Sequence, residues 1–173
     1  VVAKHTDIGS FLTVGGRTLL LDCGLIQGGD QPDIRNRQPF PFDAAAIDAV
    51  VLSHAHIDHC GRLPLLRKRG FRGPIYATPA CRDLARILLA DSAFMAEREA
   101  ERYRRRQAEH GNRHARGFPD PLFTRVDADE TIQQFKPVAY GHATEVLPGV
   151  TLTFRDAGHI LGSASVWLQL EEE

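Results

Sequence analysis

The apolar run Ala49, Val50, Val51, Leu52 passes directly into Ser-His-Ala-His-Ile-Asp-His, residues 53–59. A short apolar run with β-branched residues and no strict alternation predicts a strand covered on both faces, as in a parallel sheet. Its C-terminal end would deliver four strong metal ligands, His54, His56, Asp58 and His59, and that end is where α/β folds place their sites. Residues two apart in an extended segment point the same way, so His54 and His56 can meet one metal ion. Asp58 and His59 lie where the chain turns into a helix; they point elsewhere and can meet a second ion. Imidazole and carboxylate together suit zinc, and also iron or manganese.

The surrounding sequence supplies a layered framework. Apolar runs on either side of Gly15-Gly16 predict a hairpin, its second strand ending at Asp22. Residues 26–43, rich in Gly, Pro, Asn and Asp, read as loop. Residues 61–70 predict a short helix closed by Gly70, and 73–79 another short strand. Residues 81–110 predict one long helix whose apolar stripe is Leu84, Ile87, Leu88, Phe94 and Met95. Asp91 falls on that stripe and needs a partner there. Either it supports the histidine loop from behind by hydrogen bonding, or the helix is rotated so that Asp91 reaches solvent. Residues 111–121 read as a linker, 128–135 as a short helix, and 150–158 and 164–171 as strands, with Trp167 in the core. Strands alternating with helices predict an α/β fold.

Composition narrows the classes. The chain has 173 residues, enough for one domain with a core. A net charge of -1 gives no global pull toward nucleic acid or membrane. No apolar run approaches the roughly 20 residues of a membrane span. Three widely spaced cysteines, Cys23, Cys60 and Cys81, argue for a reducing, cytoplasmic compartment rather than a disulfide scaffold. Cys60 reads as small core filler. His5, His110, His114 and His142 fall outside any ligand spacing and read as surface residues. The arginine-rich segment 97–116 reads as a solvated helix face, with contact to RNA phosphates as the alternative.

The His-x-His-x-Asp-His stretch resembles the signature of the metallo-β-lactamase superfamily. The stretches LLLDCGLIQGG, SHAHIDHCGRLPLL, GPIYATPA, FKPVAYG and DAGHILGSAS, in that order, are similar to its β-CASP branch of RNA-processing nucleases. The resemblance covers nearly the whole chain and implies an αββα four-layer sandwich of which residues 1–173 form the N-terminal part. It implies a zinc ion on His54, His56 and His159, and a second on Asp58 and His59, which would also be the catalytic pair. Asp22 would brace the histidine loop by hydrogen bonds. The implied activity is hydrolysis of RNA phosphodiester bonds by two ions and a water. A bridging aspartate, a later histidine and the β-CASP domain are expected beyond Glu173, and most of a first strand before residue 10. The chain alone is therefore expected to bind one ion and to be weak or inactive. The alternatives are a superfamily hydrolase of a thioester or lactone, and a non-catalytic metal-binding fragment or subunit; a homo-oligomer is compatible with any of these.

Overall fold

The computed structural model describes residues 2–6, 9–110 and 117–171. Strands β1 (Val2–Thr6), β2 (Gly9–Val14) and β3 (Arg17–Leu21) come first, followed by helix α1 (Pro32–Arg37), strand β4 (Ala49–Val51) and helices α2 (Ile57–Cys60) and α3 (Leu63–Lys68). Strand β5 (Ile75–Ala77), helices α4 (Pro79–His110) and α5 (Arg125–Ile132), and strands β6 (Phe135–Pro137), β7 (Thr144–Leu147), β8 (Val150–Asp156) and β9 (Ala164–Leu170) complete the order. The α/β class expected from the sequence holds.

One sheet runs β1-β2-β3-β4-β5-β6, the other β7-β8-β9. The hairpin β2–β3 turns at Gly15 and Gly16, whose φ angles of 54° and 76° fit a tight turn with both central residues left-handed. From β3 to β6 the pairing is parallel. Strand β4 is buried throughout because it has a core on each side. Val50 joins Leu20, Leu66 and Leu89 under the helices, while Ala49 and Val51 join Leu19, Val150, Leu152 and Phe154 between the sheets. Each such valine, leucine or phenylalanine side chain taken out of water contributes about 1.5–3 kcal/mol. The result is three layers: helices, a mixed sheet, and an antiparallel sheet. No helix covers the outer face of the second sheet among the described residues.

Several expectations need correction. Residues Val2–Thr6, expected to carry little of a strand, form a five-residue strand paired antiparallel with β2. The segment read as loop contains α1, which begins at Pro32, a residue whose fixed φ suits a first helical turn. Helix α5 starts earlier than expected because Thr124 and Asp127 form a capping box, and it stops at Ile132 so that Phe135 can enter β6.

The stripe on α4 is the largest revision. Its residues in the core under the helices are Cys81, Ala85, Leu89 and Ala93, at four-residue spacing, with Leu84 partly buried against them and Ala100 buried further along. Small side chains let the helix approach the sheet closely. Leu88, Phe94, Met95 and, at 58% exposure, Ile87 face the other way. Trp167 is 59% exposed, because alternation along β9 puts it on the uncovered face, where the Arg155 guanidinium lies 4.6 Å from its ring centre. His142 is exposed. His114, the linker residues 111–116, Glu172, Glu173 and the side chains of His5 and His110 lie outside the described residues.

Candidate metal centre

Three turns assemble the site. Asp22 follows β3, the stretch 53–59 follows β4, and His159 sits in the turn between β8 and β9. The first two are joined by backbone hydrogen bonds: Cys23 N–H to the His59 carbonyl (2.7 Å), Leu25 N–H to Ile57 (3.0 Å), and Arg62 N–H back to Cys23 (2.9 Å). The approach is so close that a Cβ on Gly24 would overlap the Asp58 carbonyl, so only glycine fits. The His159 turn is fixed separately. Ser163 Oγ accepts from the amides of His159 and Ile160, both at 3.1 Å, while Thr78 Oγ1 donates to the Gly162 carbonyl and Tyr140 O–H to that of Ser163.

His54, His56 and His159 converge. His56 Nδ1 is 3.1 Å from His54 Nε2 and 3.2 Å from His159 Nε2. Nitrogens about 2.0–2.1 Å from a tetrahedral zinc lie about 3.3–3.4 Å apart, so the spacing fits a metal. The hydrogen bonding also fits. Ser53 O–H donates to Asp22 Oδ2 at 2.8 Å, so the 3.0 Å contact of Ser53 Oγ with His54 Nδ1 is a donation from the ring. That tautomer leaves the His54 Nε2 lone pair aimed at the other two imidazoles. Burial, and secondarily the neighbouring His59, push the His54 pKa below its ordinary value against the pull of Asp22, which keeps this ligand neutral and available.

Asp58 and His59 stand beside this triad. The His59 ring centre is 4.0 Å from that of His54. Its Nδ1–H donates to Asp22 Oδ2 at 2.9 Å, and its Nε2 lies 3.8 Å from Asp58 Oδ2. The hydrogen bond to Asp22 raises the His59 pKa, outweighing partial burial. Together Nε2 and Oδ2 offer a nitrogen and an oxygen to a second cation.

Asp22 ties the centre together. Its carboxylate accepts from Ser53 N–H, Ser53 O–H and His59 Nδ1–H, at 2.8, 2.8 and 2.9 Å. It does so from a left-handed backbone, φ 60°, an uncommon conformation for a residue with a side chain. Asp91 does not join this group. It is exposed on α4, because the buried stripe of that helix runs through Leu89 and Ala93 instead. Ser53, Thr78, Tyr140 and Ser163 escaped the sequence reading. Only Ser53 and Ser163 carried a signal there, as hydroxyl residues adjoining or closing the two histidine turns.

The three cysteine thiols are buried. Burial pushes Cys23 and Cys81 up to about 12 and Cys60 higher still. Cys60 packs in the core with its thiol on the Ala55 carbonyl.

A family model described as a beta-lactamase superfamily domain matches residues 17–138. A protein of Thermus thermophilus named as a ribonuclease is 38% identical over 96% of this chain. A transcription termination factor FttA of Methanothermobacter thermautotrophicus is 34% identical over 97% of it. The chain spans 33% and 25% of the length of these two relatives. Among solved structures, a subclass B3 metallo-beta-lactamase from a soil metagenome superposes with a TM-score of 0.53 at 18% identity, covering 95% of this chain and 52% of the other. The Rm3 metallo-beta-lactamase gives 0.51 at 21% identity, covering 98% and 54%.

Proposed function

The chain belongs to the beta-lactamase superfamily, and from that premise we propose that it is the N-terminal part of a β-CASP-type, two-zinc hydrolase that cleaves RNA phosphodiester bonds. A divalent-metal site is implied by the fold and met by the histidine cluster. In this reading His54, His56 and His159 hold one ion, and Asp58 and His59 contribute to the second. When bound, the ions supply Lewis acidity toward phosphate oxygens and a water made acidic enough to act near neutral pH. Asp22 fixes the tautomers of His54 and His59 and holds their rings in place. Asp58 and His59, next to the triad, are the groups best placed to orient a water and pass on its proton.

The observation that carries the proposal is the converging triad with Asp58 and His59 beside it, in a chain 38% identical to a named ribonuclease. The metallo-beta-lactamase superpositions support the fold alone. The test is cleavage of labelled RNA by the longest protein that contains this chain, before and after chelation and zinc return. His54→Ala and His159→Ala should abolish cleavage. Full activity in both variants, or activity confined to lactone or thioester substrates, would overturn the assignment.

A further inference from the structure

The rings of His54 and His59 are held from behind, by Ser53 and Asp22. The ring of His159 is not. Its Nε2 faces His56, and among the described residues no group forms a hydrogen bond with its Nδ1. A ligating histidine ordinarily gives its outer N–H to a carboxylate, a carbonyl or water. Without a protein partner there, the place of the His159 ring depends on the backbone that carries it.

That backbone belongs to a different sheet from the one that delivers the other two ligands. His54 and His56 follow β4 of the six-stranded sheet, whereas His159 joins β8 to β9 of the three-stranded sheet. The triad keeps its spacing only if the turn is fixed against the first sheet, and two hydroxyls fix it. Thr78, buried just after β5, donates from Oγ1 to the Gly162 carbonyl at 2.6 Å and accepts the Cys81 amide at 3.2 Å. Tyr140, beyond β6, donates to the Ser163 carbonyl at 2.8 Å. The Tyr140 segment is itself anchored on both sides. Val138 N–H meets the Ala77 carbonyl at 2.8 Å, and Gly141 N–H meets the Phe154 carbonyl at 2.9 Å. A backbone bond from Ala164 N–H to the Ser53 carbonyl, 2.9 Å, closes the turn against the histidine loop.

The two carbonyls are adjacent, and Ser163 Oγ reaches back to the His159 amide at 3.1 Å. A shift of either carbonyl is therefore passed to the ligand. We propose that Thr78 and Tyr140 are positioning residues for His159: through the Gly162 and Ser163 carbonyls they set where the third nitrogen of the metal site stands. This rests on the reading of His54, His56 and His159 as one metal site.

The test loads the chelator-treated chain with Co²⁺, whose visible absorption reports the geometry of the ligands around it. Thr78→Val should bind Co²⁺ roughly tenfold more weakly than wild type, and Tyr140→Phe by a smaller factor because its bond is partly open to water. In both variants the absorption at saturating Co²⁺ should differ from wild type. Thr78→Ser keeps the hydroxyl and should restore affinity and spectrum. Leu89→Ala, in the core under the helices, should lower Tm while leaving affinity and spectrum unaltered, so loss of stability alone would not imitate the effect. Tyr140→Phe removes one oxygen from an exposed side chain and carries the test if Thr78→Val does not fold. Wild-type affinity and spectrum in both variants, or no recovery in Thr78→Ser, would overturn the inference with the metal site intact. No Co²⁺ binding by wild type, or full binding by His159→Ala, would instead overturn the metal site itself and the inference with it.

Discussion

Asp22 Oδ2 holds His59 Nδ1 at 2.9 Å while also taking the Ser53 hydroxyl at 2.8 Å. One carboxylate oxygen therefore orients ligands of both candidate ions: His59 directly, and His54 through Ser53.

Asp22→Asn would put an amide N–H₂ where two donors already point, or turn it toward the Ser53 amide. Metal affinity should fall about 10–100-fold, the usual cost of losing a partner behind a metal ligand. Without the carboxylate, the His59 pKa should drop back toward its ordinary value. Metal competition titration and NMR titration of His59 check both; an unchanged His59 would contradict the bond.

His159→Ala removes one corner of the triad. Binding of the first ion should weaken by roughly a hundredfold or more, exceeding the loss expected for a supporting residue. Leu161→Ala, in the same turn but on a strongly exposed side chain, should leave affinity unchanged.

Gly162 has φ 80°, and a Cβ there would collide with Ala80 and Cys81 at the start of α4. Gly162→Ala should cost about 1–3 kcal/mol in stability. It should also loosen the metal, because the same turn positions His159. Chemical denaturation paired with metal titration reads the two effects.

The faces of α4 differ in energy. Leu89→Ala should cost about 2–5 kcal/mol by opening a cavity under the helices. Ile87→Ala, on the exposed face, should stay within about 0.5 kcal/mol of wild type. Equal costs would mean that the helix is rotated from the orientation described.

Metal binding should depend on pH in two steps. Protons compete for imidazole lone pairs, so affinity falls as pH drops through the histidine range. His54 lies below its ordinary value through burial and the charge of His59. The first ion should therefore hold until the pH is below about 6.5. His59 lies above that value because of Asp22, so the second ion should begin to weaken at a higher pH. In the metal-free chain the signs are opposed. The His59–Asp22 bond stabilises fully below about 6.5 and is lost as pH rises through the raised His59 pKa. The His54 contribution is complete above about 6.5 and is lost as pH falls through its lowered pKa. Isothermal titration across pH, with and without metal, separates the four regimes.

That His54 and His56 lie together was legible in the sequence because residues two apart in an extended segment share a side, whereas His159 was reached only through the resemblance, since nothing in its spacing ties it to His56, 103 residues earlier. The hairpin was legible because a two-residue turn needs positive φ at both central positions, which Gly15 and Gly16 adopt without a Cβ penalty. Helix α4 was misread because its core side is mostly small, Cys81, Ala85 and Ala93 beside Leu89 and the partly buried Leu84, while Ile87, Leu88, Phe94 and Met95 line the exposed side. A pattern reader follows bulk, whereas close helix–sheet packing selects for small size. Asp91 was carried along with that error. Trp167 misled in a similar way: alternation along β9 was visible, but not which face of that sheet lacks a covering layer. Tyr140 and Thr78 were out of reach, since they act on the His159 turn from distant segments through backbone carbonyls.

The stitching of residues 22–25 to 57–62 bears on how a metal would arrive. Cys23, Leu25 and Arg62 commit their amides to this seam, so backbone hydrogen bonds of the fold itself hold the histidine loop. Capture then requires no conformational search by the chain, and little of the affinity is lost to immobilising ligands. The entry rate should be set by how fast the incoming ion sheds its hydration water, and the backbone with and without metal should superpose closely.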